Sequence, residues 1–100
     1  MLKITKENFN DVIKNNETII IDFWADWCSP CIALGPLFEN VSKNYPHITC
    51  GKVNVDEEEE LAMGFEVRSI PYVVKIKNGK IIDSFTGLRT EAFIEEFFSR

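Results

Sequence analysis

The sequence lacks several features on which common classes of protein depend. It has three cysteines, an odd number that argues against a secreted framework of paired disulfides. It has no apolar run long enough for a membrane-spanning helix or a signal peptide. Acidic residues outnumber basic ones by 16 to 11, and the net charge of −5 disfavours nucleic acid and anionic membranes as partners. We therefore expect one domain over residues 1–100, in a reducing cytoplasm and without a membrane anchor.

Two of the three cysteines stand close together, in the segment Trp27-Cys28-Ser29-Pro30-Cys31. They follow an apolar run over residues 18–25 that is typical of a buried strand. From Pro30 to about residue 44, apolar residues recur at helical spacing. A Cys-x-x-Cys pair at such a strand-to-helix junction is typical of a dithiol that opens and closes as a disulfide.

The predicted position of the pair also assigns a chemical role to each cysteine. Cys28 is expected at the helix N-terminus, where unpaired N–H groups and the positive end of the helix dipole stabilise a thiolate. Pro30 suits the first helical turn because its fixed φ is compatible with a helix. Cys28 would then attack a target disulfide, and Cys31, one turn further on, would resolve the mixed disulfide. The alternative is a fixed disulfide or a pair of unreactive core cysteines.

The rest of the pattern predicts alternating strands and helices. We expect strands over residues 2–5, 18–25, 48–55, 72–77 and 80–85, and helices over residues 6–15, 30–44, 56–64 and 90–99. Asp56 is the predicted N-cap of the third helix, and Asn78-Gly79 predicts a two-residue hairpin. This order predicts an α/β fold with a mixed five-stranded central sheet flanked by four helices.

The chain resembles the thioredoxin family over essentially its whole length. The matching segments are residues 22–31, Pro36, residues 52–56, Arg68-Ser69-Ile70-Pro71, Asn78-Gly79 and Gly87. The resemblance implies the thioredoxin fold and a protein disulfide reductase with no cofactor beyond its own Cys28–Cys31 pair. It also implies thioredoxin reductase and disulfide-containing proteins as partners. We expect the protein to be a monomer.

Asp22 is an acidic residue within the apolar strand. A buried carboxylate without a partner is costly, and burial raises its pKa toward neutrality, so such a group can accept the proton of Cys31. From the residues alone, an Asp that points to solvent at the end of the strand is equally acceptable. The resemblance favours the buried proton acceptor and places Lys52 near it.

The segment Ile70-Pro71 forms the other half of the predicted site. Most X-Pro bonds are trans, and the sequence alone does not indicate otherwise. The resemblance implies a cis Pro71 opposite the cysteines, with the backbone of Ile70 free to pair with an extended substrate. The predicted substrate-binding residues are Trp27, Ser29, Pro30, Ile70, Pro71, Thr86, Gly87 and Leu88. Trp27 is expected to be partly exposed, and Trp24 to lie in the core.

The active-site sequence differs from the commonest pattern of the family. Ser29 replaces a usual Gly, which gives Cys-Ser-Pro-Cys, and Ile32 replaces a usual Lys or Arg. These changes affect the expected reduction potential and partner selectivity rather than the type of reaction. A thiol oxidase or isomerase of the same fold is the first alternative function. A binding module without turnover is the second, although both cysteines that catalysis needs are present.

The remaining cysteine and the histidine allow one further hypothesis. Cys28, Cys31, His47 and Cys50 have a spacing that can form a tetrahedral zinc set. The intervening predicted helix would separate the two ligand pairs by roughly 20 Å, so we expect no metal site. We interpret Cys50 as a small buried residue and His47 as a solvated turn residue. The acidic residues 56–60 are interpreted as complementing a helix dipole.

Overall fold

The chain folds around a five-stranded sheet with helices on both faces. The computed structural model describes residues 1–100. Its elements, in chain order, are β1 (Leu2–Lys3), α1 (Phe9–Asn15), β2 (Thr18–Trp24), α2 (Ser29–Ser42), β3 (Thr49–Asn54), α3 (Glu59–Gly64), β4 (Tyr72–Lys77), β5 (Lys80–Thr86) and α4 (Glu91–Ser99). The predicted α/β fold with five strands and four helices is confirmed.

The strand order in the sheet is β1-β3-β2-β4-β5. Strands β1, β3 and β2 run parallel, whereas β4 is antiparallel to both β2 and β5. β2 is therefore the central strand, with a neighbour on each side. Its sequence, rich in isoleucine, suits a strand whose two faces are both covered.

Alternating residues of β2 belong to two separate cores. Ile19, Ile21 and Phe23 pack on the face covered by α1 and α3. Ile20 packs on the other face, with apolar residues of α2 and α4. Because successive side chains of a strand point to opposite faces, Asp22 and Trp24 share the face of Ile20, beneath α2. This alternation brings Asp22 to the helix that carries the cysteines.

The N-terminal elements are shorter than the sequence predicted. Strand β1 ends at Lys3, and α1 begins at Phe9 rather than at Lys6. The backbone N–H of Thr5 donates to Asn8 Oδ1 at 2.9 Å, and the N–H of Asn8 donates to Thr5 Oγ1 at 3.3 Å. These local bonds satisfy the backbone in a turn, and this delays the start of the helix.

The predicted hairpin is confirmed. β4 ends at Lys77 and β5 begins at Lys80, so Asn78 and Gly79 form the whole connection. Both residues have positive φ angles, 51° and 79°, which suits the right-handed twist of the two strands. The hairpin places Thr86 and Gly87 at the same end of the sheet as Tyr72.

A buried lysine in β4 joins the sheet to the end of α4. Lys75 is 4% exposed, and its Nζ donates to the backbone oxygens of Phe97 and Phe98, each at 3.1 Å, and of Arg100. Burial lowers the pKa of Lys75, and the nearby Asp83 carboxylate opposes that shift. The ammonium group satisfies carbonyls that the last turn of a helix leaves without partners.

None of the four helices combines the length and apolar character that a membrane crossing requires.

Candidate active site

Cys28 and Cys31 form a disulfide at the N-terminus of α2. Cys28 is the N-cap residue, and its Sγ accepts a hydrogen bond from the backbone N–H of Cys31 at 3.3 Å. Pro30 lies in the first turn, as predicted. Both cysteines are buried: Cys28 is 4% exposed and Cys31 is 2% exposed. The sequence therefore folds so that Cys28 caps the helix with a sulfur atom.

The surroundings of Cys28 stabilise negative charge on its sulfur after reduction. The unpaired N–H groups and positive dipole end of α2 favour a thiolate over a thiol. No acidic side chain lies in the first turn of α2 to oppose that effect. Ile32, the residue after the pair, is 54% exposed and adds apolar surface beside the disulfide. The arrangement suits nucleophilic thiol chemistry.

The backbone of Ile70 lies against the disulfide. The Ile70-Pro71 peptide bond is cis, as the resemblance implied. The carbonyl oxygen of Ile70 is 3.8 Å from Cys28 Sγ. On the far side of the proline, the N–H of Gly87 donates to the carbonyl of Pro71 at 2.8 Å. The loop before β4 and the end of β5 are therefore tied together next to the cysteines.

Asp22 is fully buried in β2, at 0% exposure. Neither of its carboxylate oxygens has a hydrogen-bond partner. Burial raises the pKa of Asp22 from 3.8 to about 6, and the positive charge of Lys52 opposes the shift. The buried position agrees with the reading that the resemblance favoured and excludes an Asp that points to solvent. A carboxylate with this pKa exchanges protons near neutral pH.

Lys52 is the residue opposite Asp22 in the adjacent strand β3. Its Nζ lies 4.3 Å from the ring centroid of Trp24. Four salt bridges occur in the structure, and none includes Lys52 or Asp22. Trp24 is half-buried rather than enclosed in the core as expected. Lys52 is thus close to Asp22 along the sheet, but its ammonium group contacts an aromatic ring.

The side chain of Asp56 binds Trp27 instead of capping a helix. Helix α3 begins at Glu59, and its N-cap Glu58 makes no side-chain capping bond, so the predicted capping role of Asp56 is wrong. The indole N–H of Trp27 donates to Asp56 Oδ2 at 2.8 Å. Asn54 Oδ1 accepts from the backbone N–H groups of Asp56 and Glu57, which fixes the turn after β3. The spacing of these residues in the sequence gives no signal for this contact.

A cavity of about 340 Å³ opens beside Trp27 and Ile70. The residues that line it are Trp27, Val55, Ala62, Val67, Arg68, Ser69 and Ile70. The predicted substrate-binding residues Ser29, Pro30, Thr86 and Leu88 are exposed at the surface and do not line this cavity. Five residues that line the cavity were not among the predicted substrate-binding residues: Val55, Ala62, Val67, Arg68 and Ser69. Val55, Arg68 and Ser69 lie in segments that resemble the family, but nothing in the sequence shows that they face the same cavity as Trp27. Ala62 and Val67 lie in or beside α3, outside any motif.

The hypothetical zinc set does not form. No group of three or more His, Cys, Asp or Glu side chains has the geometry to hold a metal ion. His47 is exposed, as expected for a turn residue. Cys50 is half-buried and unpaired, and burial raises the pKa of its thiol to about 11. The redox chemistry of the chain therefore centres on Cys28 and Cys31.

Comparison with known proteins agrees with this geometry. The sequence model of the thioredoxin family matches residues 1–100. The chain is 36% identical over 97 residues to the thioredoxin of Chlamydia pneumoniae, an alignment that covers 97% of this chain and 94% of that protein. It is 39% identical over 95 residues to the mitochondrial thioredoxin of Mus musculus, covering 93% of this chain. The chain spans 57% of the length of that mitochondrial relative.

A solved structure shows the same fold. The X-ray structure of Fasciola hepatica thioredoxin superposes with a TM-score of 0.93 at 35% identity, covering 100% of this chain and 98% of that one. Thioredoxins are thiol–disulfide oxidoreductases that use a redox-active disulfide and no further cofactor, and the corresponding pair is present here as Cys28–Cys31. The chain belongs to the thioredoxin family.

Proposed function

We propose that the protein is a disulfide reductase in which Cys28 is the nucleophile and Cys31 the resolving residue. One observation carries the proposal: the Cys28–Cys31 disulfide caps the N-terminus of α2 and lies against the backbone of Ile70. Family members with this pair act as general electron carriers between a reductase and disulfide-containing proteins. This chain would therefore accept electrons from a thioredoxin reductase and pass them to protein disulfides.

The reaction proceeds in two exchanges. The Cys28 thiolate attacks one sulfur of the target, so that a Cys28–target bond forms, the target disulfide breaks, and the released thiolate takes a proton from solvent. The Cys31 thiol then gives its proton to the Asp22 carboxylate and attacks Cys28 Sγ. The Cys28–Cys31 bond forms, the second target thiolate leaves, and two electrons have moved to the target.

Asp22 is suited to this proton transfer because it is buried next to α2 and lacks any hydrogen-bond partner. Lys52 takes part through its positive charge, which stabilises the ionised form of Asp22. A group whose pKa lies near the working pH both accepts and releases protons readily.

The substrate would bind along the surface around the cysteines. The exposed indole of Trp27 and the backbone of Ile70 border the 340 Å³ cavity, and they would contact an extended target segment. The proposed binding residues are Trp27, Ser29, Pro30, Ile70, Pro71, Thr86, Gly87 and Leu88. We also propose that the protein acts as a monomer, and as one domain because a single five-stranded sheet organises residues 1–100. The unpaired Cys50 supports a reducing compartment such as the cytoplasm.

The reduction potential of the Cys28–Cys31 pair tests the proposal. The protein is equilibrated in graded thiol–disulfide buffers, and the fluorescence of Trp27 reports the state of the neighbouring sulfurs. We expect a single two-electron transition below about −260 mV, more reducing than the glutathione pool. A midpoint above about −220 mV would contradict the reductase and favour an oxidase or isomerase.

Trapping separates the roles of the two cysteines. Cys31→Ser stops the reaction after the first exchange, so a mixed disulfide between Cys28 and the target should accumulate. Cys28→Ser should form none. Cys50→Ser is the matched control and should turn over like the unmodified protein, because Cys50 is remote from the pair in the core between β3 and α2. A mixed disulfide in Cys28→Ser would overturn the assignment of the nucleophile.

A further inference from the structure

The ammonium group of Lys52 is held away from the carboxylate that lies opposite it in the sheet. Asp22 and Lys52 are partners across β2 and β3, yet no salt bridge joins them and both Asp22 oxygens lack a hydrogen bond. Lys52 Nζ lies instead 4.3 Å from the ring centroid of Trp24. A Cβ atom built on Gly35 of α2 would lie 3.9 Å from the same Nζ. The ammonium group of the half-buried Lys52 therefore lies between an indole face and the backbone of α2.

Trp24 is well placed to hold Lys52 because of its position in β2. It follows Asp22 by two residues, so both side chains lie on the α2 face of the sheet. A cation within about 6 Å of an indole face is attracted by the electron density of the ring, and tryptophan is the strongest aromatic partner. The ring thus competes with the Asp22 carboxylate for the same ammonium group.

Other charged side chains line the two cavities beside this ammonium group. Two cavities of about 250 and 220 Å³ share Trp24 and Lys52 in their walls. Their further charged side chains are Lys3, Asp26, Glu39 and Glu57. None of the three carboxylates forms a salt bridge with Lys52, and Glu57 pairs with Lys3 at 3.3 Å. Lys52 is the charged group that acts on Asp22, whereas burial acts in the opposite direction. The proton affinity of Asp22 therefore depends on how closely Lys52 approaches it.

We infer that Trp24 is a positioning residue: its ring holds the Lys52 ammonium away from Asp22 and keeps that carboxylate basic enough to accept the proton of Cys31. This inference rests on the proposed role of Asp22 in the reaction. It assigns Trp24 an effect on proton transfer without contact between Trp24 and the substrate.

Substitution of the aromatic ring gives the primary test. In Trp24→Leu the ammonium group loses its aromatic partner and is free to pair with Asp22. We expect the pKa of Asp22, followed by carbon-13 NMR of the carboxyl group in the oxidised protein, to fall by about one unit, a tenfold loss of proton affinity. Trp24→Phe keeps an aromatic face and should shift the pKa by less than half of that amount. An unchanged pKa in Trp24→Leu would overturn the inference.

The same substitution in a protein without the ammonium group is the matched control. In a Lys52→Met background, Trp24→Leu should change the pKa of Asp22 by less than about 0.3 units, because no cation is left to move. An equal fall in both backgrounds would mean that the substitution acts through burial, and the inference would be wrong.

A measurement on the unmodified protein does not depend on the folding of any variant. If Lys52 lies over the indole, the ring current shifts its ε-methylene proton resonances upfield, both at pH 5 and at pH 8. Resonances at the positions of an unfolded chain would overturn the inference.

Turnover is measured separately: the acidic limb of the pH–rate profile should move with the Asp22 pKa in Trp24→Leu. If the pKa of Asp22 shifts but the acidic limb of the pH–rate profile does not move, the proposed role of Asp22 is contradicted. The placement of Lys52 by Trp24 would still hold.

Discussion

The indole N–H of Trp27 donates a 2.8 Å hydrogen bond to the carboxylate of Asp56, although the two residues are 29 positions apart. Trp27 is 69% exposed, so little packing fixes its ring. The bond connects the residue before Cys28, the proposed nucleophile, to the turn that follows β3. It sets the orientation of the largest apolar surface beside the disulfide, and a target protein would meet that surface first.

Loss of this bond should weaken target binding without disabling the chemistry. In Asp56→Ala the indole becomes free to rotate, and a target must order it on binding. We expect the KM for a protein disulfide to rise about three- to tenfold while kcat changes less than twofold. Steady-state turnover against a protein substrate measures both constants.

Two variants control for charge. Asp56→Asn keeps an oxygen acceptor and should retain most of the affinity. Glu59→Ala removes one negative charge from the same acidic run without touching Trp27, and it should leave KM unchanged. An equal rise of KM in Glu59→Ala would mean that the effect is electrostatic and that the hydrogen bond does not matter.

The buried carboxyl of Asp22 should make the oxidised protein less stable as the pH rises. Its pKa is about 6 in the folded protein and 3.8 when unperturbed, so between these values the folded state binds more protons than the unfolded state. The free energy of unfolding must therefore fall from pH 4 to pH 6 and level off above. Two pKa units correspond to about 3 kcal/mol, an order-of-magnitude figure.

Urea unfolding of the oxidised protein at several pH values measures this effect. Asp22→Asn has nearly the same shape but does not titrate, so relative to it the unmodified protein should lose about 2.5 kcal/mol between pH 4 and pH 7.5, an order-of-magnitude figure. Asp26→Asn replaces an exposed carboxylate, so its free energy of unfolding should change with pH as that of the unmodified protein does. A constant difference between Asp22→Asn and the unmodified protein would refute the raised pKa.

Cys50 should react slowly while the protein is folded. The pKa of its thiol is about 11, raised by burial from 9.0, so its thiolate fraction at pH 8 is about one hundredth of that of an ordinary thiol. A more basic thiolate is more nucleophilic, which recovers part of this loss. In a Cys28→Ser, Cys31→Ser variant, Cys50 is the cysteine that remains. Its alkylation at pH 8 should be at least about tenfold slower in the folded protein in buffer than in the unfolded protein in urea. Similar rates in both would show that Cys50 is a reactive thiol.

Much of the fold follows from local patterns in the sequence. The bounds of β4 are those predicted, because alternation and the Asn78-Gly79 turn both act within the strand and its hairpin. Helix α1 was predicted too long, since Thr5 and Asn8 satisfy each other's backbone groups in a turn that periodicity does not reveal. The presence of each strand and helix therefore follows from the pattern, whereas the residues at which some of them begin or end depend on local side-chain hydrogen bonds.

The site was predictable only where a motif carried it. Cys28, Cys31 and Asp22 lie in one segment of the chain, so their strand and helix could be placed from periodicity. Two other contacts of the site join neighbouring strands or the segments that follow them. Lys52 of β3 contacts Trp24 of β2. Asp56, in the turn after β3, binds Trp27, in the loop after β2. Such contacts depend on the order of strands in the sheet, and no spacing in the sequence encodes them.

Lys75 should contribute substantially to stability, although it lies remote from the cysteines. Its alternation in β4 places it with Val73 on the face of α2 and α4, where a lysine is expected only with partners. Those partners are carbonyls at the end of α4.

In Lys75→Met the apolar stem remains but these bonds to a charged group are lost, which should lower the free energy of unfolding by about 2 kcal/mol. Lys77→Met removes an exposed lysine from the same strand and should change the free energy of unfolding by less than about 0.5 kcal/mol. Urea unfolding measures both, and amide exchange should quicken in α4 of Lys75→Met alone. If the two variants were equally stable, the buried ammonium would not hold α4 against the sheet.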